Sequence, residues 1–101
     1  MALTAFNSNG QLPSSKGTLS TATAAVVVNS ITLVNTDSVT RTVNLYIKTG
    51  TSRHIIPVAL SLTTGSAYLD DITRCLNSGD LIEGDASAAT VVDYVISGAH
   101  A

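Results

Sequence analysis

Charged side chains make up 12% of these 101 residues and aromatic rings 4%, and there is no tryptophan. An ordinary soluble domain is about 25% charged, so much of this surface must be neutral. Five Lys and Arg stand against seven Asp and Glu, for a net charge of −2, and the basic residues form no cluster. Direct nucleic-acid binding is therefore not expected, because neutralising phosphates needs a basic patch. A single cysteine, Cys75, leaves no partner for an intrachain disulfide. It is expected to be a small buried apolar residue, since the neighbouring Arg74 alone is weak ground for a reactive thiolate. The most apolar segment, residues 24–28, is far shorter than the ~20 residues that span a bilayer. No basic region followed by an apolar stretch opens the chain, so neither a secretory signal nor a membrane partner is expected.

Hydroxyls replace the missing charge. Fourteen Thr and twelve Ser give 26 of 101 residues, and together with Val and Ile they suit a pleated, half-buried surface better than a helix. The length fits one domain. A chain of this size buries roughly 60–70% of its unfolded surface, so its own stability should be modest and association would add to it.

Residues 8–17, Ser-Asn-Gly-Gln-Leu-Pro-Ser-Ser-Lys-Gly, carry turn formers and no hydrophobic period. They predict a flexible N-terminal arm over residues 1–17, followed by the folded domain over residues 18–101. From Lys16 onward, β-type runs alternate with turn signals. Residues 26–34 hold Ile31 and Leu33 in alternation and close at the turn-prone Asn35-Thr36-Asp37. Residues 40–48 give the clearest strand, with Val43, Leu45 and Ile47 on one face and Thr42, Asn44, Tyr46 and Lys48 on the other. Pro57 interrupts the apolar run 53–62, as at an edge, a bulge or a crossing between sheets. Short strands follow through Ala67, Tyr68 and Leu69 and over residues 72–76. Asn77-Ser78-Gly79-Asp80 reads as a tight turn. A strand begins at Leu81 and is expected to bend at Gly84-Asp85. The last strand places Val92, Tyr94 and Ile96 opposite Val91, Asp93 and Val95. About eight short strands at this spacing predict an all-β fold, an antiparallel β-sandwich of jelly-roll type.

The residues that could carry chemistry are scattered. A nucleophilic triad needs a nucleophile, a base in reach and a group that orients the base. His54 lies in an apolar run beside Arg53, His100 is expected in a frayed tail, and no Gly-x-Ser-x-Gly elbow is present. The two histidines share no metal-ligand spacing. The acidic group Asp70, Asp71, Asp80, Glu83 and Asp85 lacks a calcium-loop spacing; Asp70 and Asp71 read as a solvated strand end, and Asp80 as a turn residue. No glycine loop suited to phosphate occurs. Tyr46, Tyr68, Tyr94 and Phe6 are too dispersed for a stacking platform. No catalytic, cofactor-binding or metal-binding residue is therefore assigned, no cofactor is expected, and the chain is not expected to be an enzyme.

Three segments carry a resemblance. They are Ile31-Thr32-Leu33-Val34-Asn35-Thr36-Asp37 followed by Arg41-Thr42-Val43-Asn44-Leu45-Tyr46-Ile47; then Leu76-Asn77-Ser78-Gly79-Asp80-Leu81-Ile82-Glu83-Gly84; and the closing run 86–98, Ala-Ser-Ala-Ala-Thr-Val-Val-Asp-Tyr-Val-Ile-Ser-Gly. Together these resemble small β-sandwich virion proteins of tailed bacteriophages, covering most of the chain after Ser30. The resemblance implies a building block made in the host cytoplasm and seated in the virion. It would be a capsid decoration (cement) subunit on the major capsid protein, or a head-spike, fibre-base, tail or neck component. It also implies a homo-oligomer, a trimer. A glycan-binding adhesin domain is the alternative from another class, against which the few aromatics argue.

Overall fold

The computed structural model describes residues 4–100, all-β with two antiparallel sheets packed face to face. Ten strands form among them: β1 (Thr4–Gln11), β2 (Gly17–Thr21), β3 (Val26–Asn35), β4 (Arg41–Thr49), β5 (Thr51–His54), β6 (Leu60–Leu62), β7 (Ala67–Asp70), β8 (Arg74–Leu76), β9 (Leu81–Ala86) and β10 (Val92–His100). Sheet I runs β1, β10, β3, with β7 and β8 end to end along β3. Sheet II runs β2, β9, β4, with β5 and β6 end to end along β4. No helix among the described residues is long and apolar enough to cross a membrane.

The inner faces follow from the alternation. Val43 and Leu45 of β4 and Val92, Tyr94 and Ile96 of β10 are buried, as the period-2 pattern predicts. On β3 the phase slips: Val26 and Val28 are buried, then Ile31, Leu33 and Asn35. The cause is a bulge. Gly98 pairs with Val28 and Ser97 with Ser30, which leaves Asn29 as the extra residue. A Cβ on Gly98 would lie 1.9 Å from the Val27 carbonyl oxygen, so only glycine lets the two backbones approach this closely. A second bulge between Thr18 and Ser20 of β2 lets Leu19 and Ser20 both be buried. Each fully buried Leu, Ile or Val of this core stabilises the fold by about 1.5–3 kcal/mol.

Several expectations are corrected here. The predicted flexible arm over residues 1–17 is not free from Thr4 onward; residues 1–3 lie outside the described residues. Instead β1 pairs with β10 along its whole length, Phe6 packs on the core, and the Ser8 hydroxyl donates to the Leu19 carbonyl at 2.9 Å. Backbone pairing holds a strand whose side chains show no period. The run 53–62 is interrupted around Pro57 as expected, with β5 ending at His54 and β6 beginning at Leu60. Strand β9 runs on through Gly84, with Leu12 and Leu19 packed over that glycine. Asn35 closes β3 at the expected turn, but its side chain faces inward. It is fully buried, its amide donates to the carbonyls of Val39 and Leu62 at 2.9 Å each, and its oxygen accepts from the Asp37 N–H.

Candidate functional site

The two outer faces of the sandwich differ in kind. On sheet II the register brings Asn44 beside Asp85 and Tyr46 between Glu83 and His54. Asn44 donates to Asp85 Oδ1 at 2.9 Å and the Tyr46 hydroxyl donates to Oδ2 at 2.7 Å. Ser52 donates to Glu83 at 2.5 Å. The Asn44 oxygen accepts the N–H of Ala59 at 2.8 Å, holding that residue at a φ of 53° that non-glycine residues seldom adopt. His54 stacks obliquely on Tyr46, with centroids 4.6 Å apart, and Lys16 Nζ sits 4.9 Å from the same ring. Desolvation first, and the Asp85 carboxylate second, push the Tyr46 phenol up to about 12. It is therefore a fixed donor at neutral pH. This network fastens β4, β5, β9 and the loop before β6 to one another.

The outer face of sheet I is built of four cross-strand rows. One row is Ala5, Ala99, Val27, Cys75; the next is Asn7, Ser97, Ser30; then Asn9, Val95, Thr32, Leu69; then Gln11, Asp93, Val34, Ala67. Asp93 is the one charge in these rows, and Gln11 donates to it at 3.1 Å. Val27, Val95 and Leu69 are 38%, 41% and 61% exposed, and Ile72 in the link from β7 to β8 is 61% exposed. Where β3, β8 and β10 run side by side, a groove of about 480 Å³ opens, lined by Ala25, Val27, Asn29, Cys75, Ala99 and His100 among others. The outer surface of sheet I, with one charge in its rows and Val27, Val95 and Leu69 exposed, stands out as the candidate functional surface.

The residues singled out in the sequence do not converge. Asp70, Asp71, Asp80, Glu83 and Asp85 are dispersed, and no group of three or more metal-ligating side chains forms among the described residues. Asp70 is not a solvated strand end: it is 3% exposed and accepts from both terminal nitrogens of the Arg74 guanidinium, at 2.7 and 3.0 Å. Asp80 is a turn residue, its carboxylate accepting the Asn77 N–H at 2.8 Å, with Gly79 at a φ of 94° before it. Glu83 and Asp85 share the sheet II network. Asp37, beyond that group, is held below the usual carboxylate range by its hydrogen bond from Arg41, then by the Ser38 N–H.

Cys75 is exposed on the sheet I face and not buried. His100 is not in a frayed tail but in β10, opposite Val26. His54 is exposed beside Tyr46, Tyr94 is buried with its hydroxyl on the Leu19 carbonyl at 3.2 Å, and Tyr68 is half-buried. Among the described residues no buried side-chain nitrogen or oxygen lacks a partner, so no orphaned polar group is aimed at a ligand. Sequence reasoning missed this face because its rows come from five strands; the exposed Val and Leu of β3, β7 and β10 were the available signal. No family model, curated protein or solved structure matches this chain.

Proposed function

We propose that this chain is a non-enzymatic structural subunit that works by packing against other protein, and that its place is a tailed-phage particle. There it is a capsid decoration (cement) protein bound to the major capsid protein as a homo-oligomer. The observation that carries the packing role is the outer face of sheet I, where one charge stands among four rows of short neutral and apolar side chains. Such side chains lose little rotamer entropy when covered, and Val27, Val95 and Leu69 stand exposed among them.

The strand order supports a jelly roll. Counting β5 with β6 and β7 with β8 as single rows gives eight rows, the first beside the eighth and the second beside the seventh. That wrapped arrangement is used by viral capsid and lectin domains. The phage particle itself enters through the resemblance of the three segments, and fold alone does not fix function. A glycan-binding role has less support, because His54 and Lys16 already engage the Tyr46 ring. Purified protein mixed with undecorated heads is expected to attach saturably, one set of sites per capsid. Absence of attachment removes the decoration role, and density at the neck or tail in a particle reconstruction moves the subunit there.

A further inference from the structure

We propose that the outer face of sheet I docks against the same face of a second copy of this chain, the two related by a two-fold axis. This pairing rests on the packing role proposed above and gives it a surface and a partner. Three observations favour a second copy. Charge comes first: the four rows carry Asp93 alone, at their Gln11 rim, with Asp71 beside Ile72 in the link at the sheet's edge, so two copies meet with little like-charge repulsion across the rows.

Shape comes second. Leu69 and Ile72 project at 61% exposure, while the groove beside Val27, Cys75 and Ala99 is recessed. In the proposed two-fold pair each copy's Leu69 and Ile72 lie over the other's groove. Area comes third. Four rows of strands spaced ~4.8 Å apart, each about eight residues long at ~3.3 Å, make a plane on the order of 500–600 Å². With side-chain relief that approaches the roughly 800 Å² per partner of a stable specific interface. The opposite face of the sandwich has no such match, since Lys16, Asp85, Glu83 and His54 are already committed to one another's neighbours.

The test is solution mass of the full chain across concentration, by sedimentation or light scattering. Wild type is expected as two copies. The double variant Leu69→Lys with Val95→Lys should weaken the pair roughly 100-fold, because each lysine would be buried unpaired twice over. Ser61→Lys, on the outer face of sheet II, should change it less than about twofold. Circular dichroism and melting of the variants confirm that they fold. A single-chain mass up to about 1 mM overturns the proposal, as does a three-copy mass, or a two-copy mass that the double variant leaves unchanged. If the double variant does not fold, alkylation of Cys75 in the wild type decides. Its rate should fall by about tenfold from dilute to concentrated protein as the groove is covered, and a rate independent of concentration overturns the pairing. Head attachment is read separately. Attachment by a single-chain species ends the pairing and keeps the decoration role; pairing without attachment does the reverse.

Discussion

Sheet I and sheet II share one core but finish their solvent faces by opposite means. Sheet II completes its surface with its own side chains: Asp85 takes Asn44 and Tyr46, Glu83 takes Ser52, and Asn44 reaches on to Ala59. Sheet I leaves Val27, Val95 and Leu69 in the open. Its strong polar device, the pair of Arg74 with the buried Asp70 carboxylate, lies at the strand edge. The contrast teaches that exposed β-surface in this chain is of two kinds, one closed by its own polar network and one left with exposed Val and Leu. Stability should therefore respond to sheet II's polar groups and sheet I's backbone contacts, while association should respond to sheet I's outer side chains.

The largest effect expected is from Gly98→Ala. The added methyl would meet the Val27 backbone at 1.9 Å with no flexible side chain to move aside, and β10 and β3 must part. A loss of about 4 kcal/mol or more in urea unfolding is expected. Gly84→Ala in sheet II meets the side chains of Leu19 and Leu12 as well as the Asn44 carbonyl, and should cost less, about 1–3 kcal/mol. Equal losses would mean that the bulge in sheet I is no tighter than the packing over sheet II. Next is Arg74→Met, which leaves the Asp70 carboxylate buried without its cation. It should cost about 3 kcal/mol by the same assay, and a change near zero would show that the edge of sheet I relaxes enough to hydrate Asp70.

Much of this division was open to reading before any coordinates. Val43, Leu45 and Ile47 against Asn44, Tyr46 and Lys48 fixed β4, and Val92, Tyr94 and Ile96 fixed β10, because each strand has one face in the core. Pro57 and Gly79 marked an interruption and a turn on their own chemistry. Strand β1 was hidden because an edge strand with mostly exposed side chains has no period to show; its order comes from β10's backbone groups. Asn35 and Asp70 were hidden for another reason. Their polarity reads as exposure until the partners Leu62, Val39 and Arg74 are brought in by the fold. The outer face of sheet I required knowing which strands lie side by side, which alternation within one strand does not say.

A smaller effect sharpens the sheet II side. Asp85→Ala removes the acceptor of both Asn44 and Tyr46 and should cost about 1–2 kcal/mol. Tyr46→Phe removes one of the two bonds and should cost about 1 kcal/mol, with a pH signature. The phenol is raised in the folded chain to about 12 from 10. Its contribution is thus complete below pH 10 and lost as pH rises through 12. Melting temperatures of wild type and Tyr46→Phe should differ by a constant amount at lower pH and converge between pH 10 and 12. A difference that persists at pH 12 would show that the hydroxyl acts through packing and not through its proton.

The smallest effect is the one that most tests the contrast. Val95→Thr, 41% exposed in the centre of the sheet I face, keeps the branched shape that a strand favours and swaps a methyl for a hydroxyl. In dilute protein, where chains are single, unfolding should change by no more than about 0.5 kcal/mol, as for an exposed site with no partner. At high concentration the same substitution should lower the melting temperature relative to wild type, because it weakens a state that only association populates. A loss in dilute protein as large as in concentrated protein would mean that Val95 serves the fold of its own chain. The outer face of sheet I would then be satisfied in the same sense as that of sheet II.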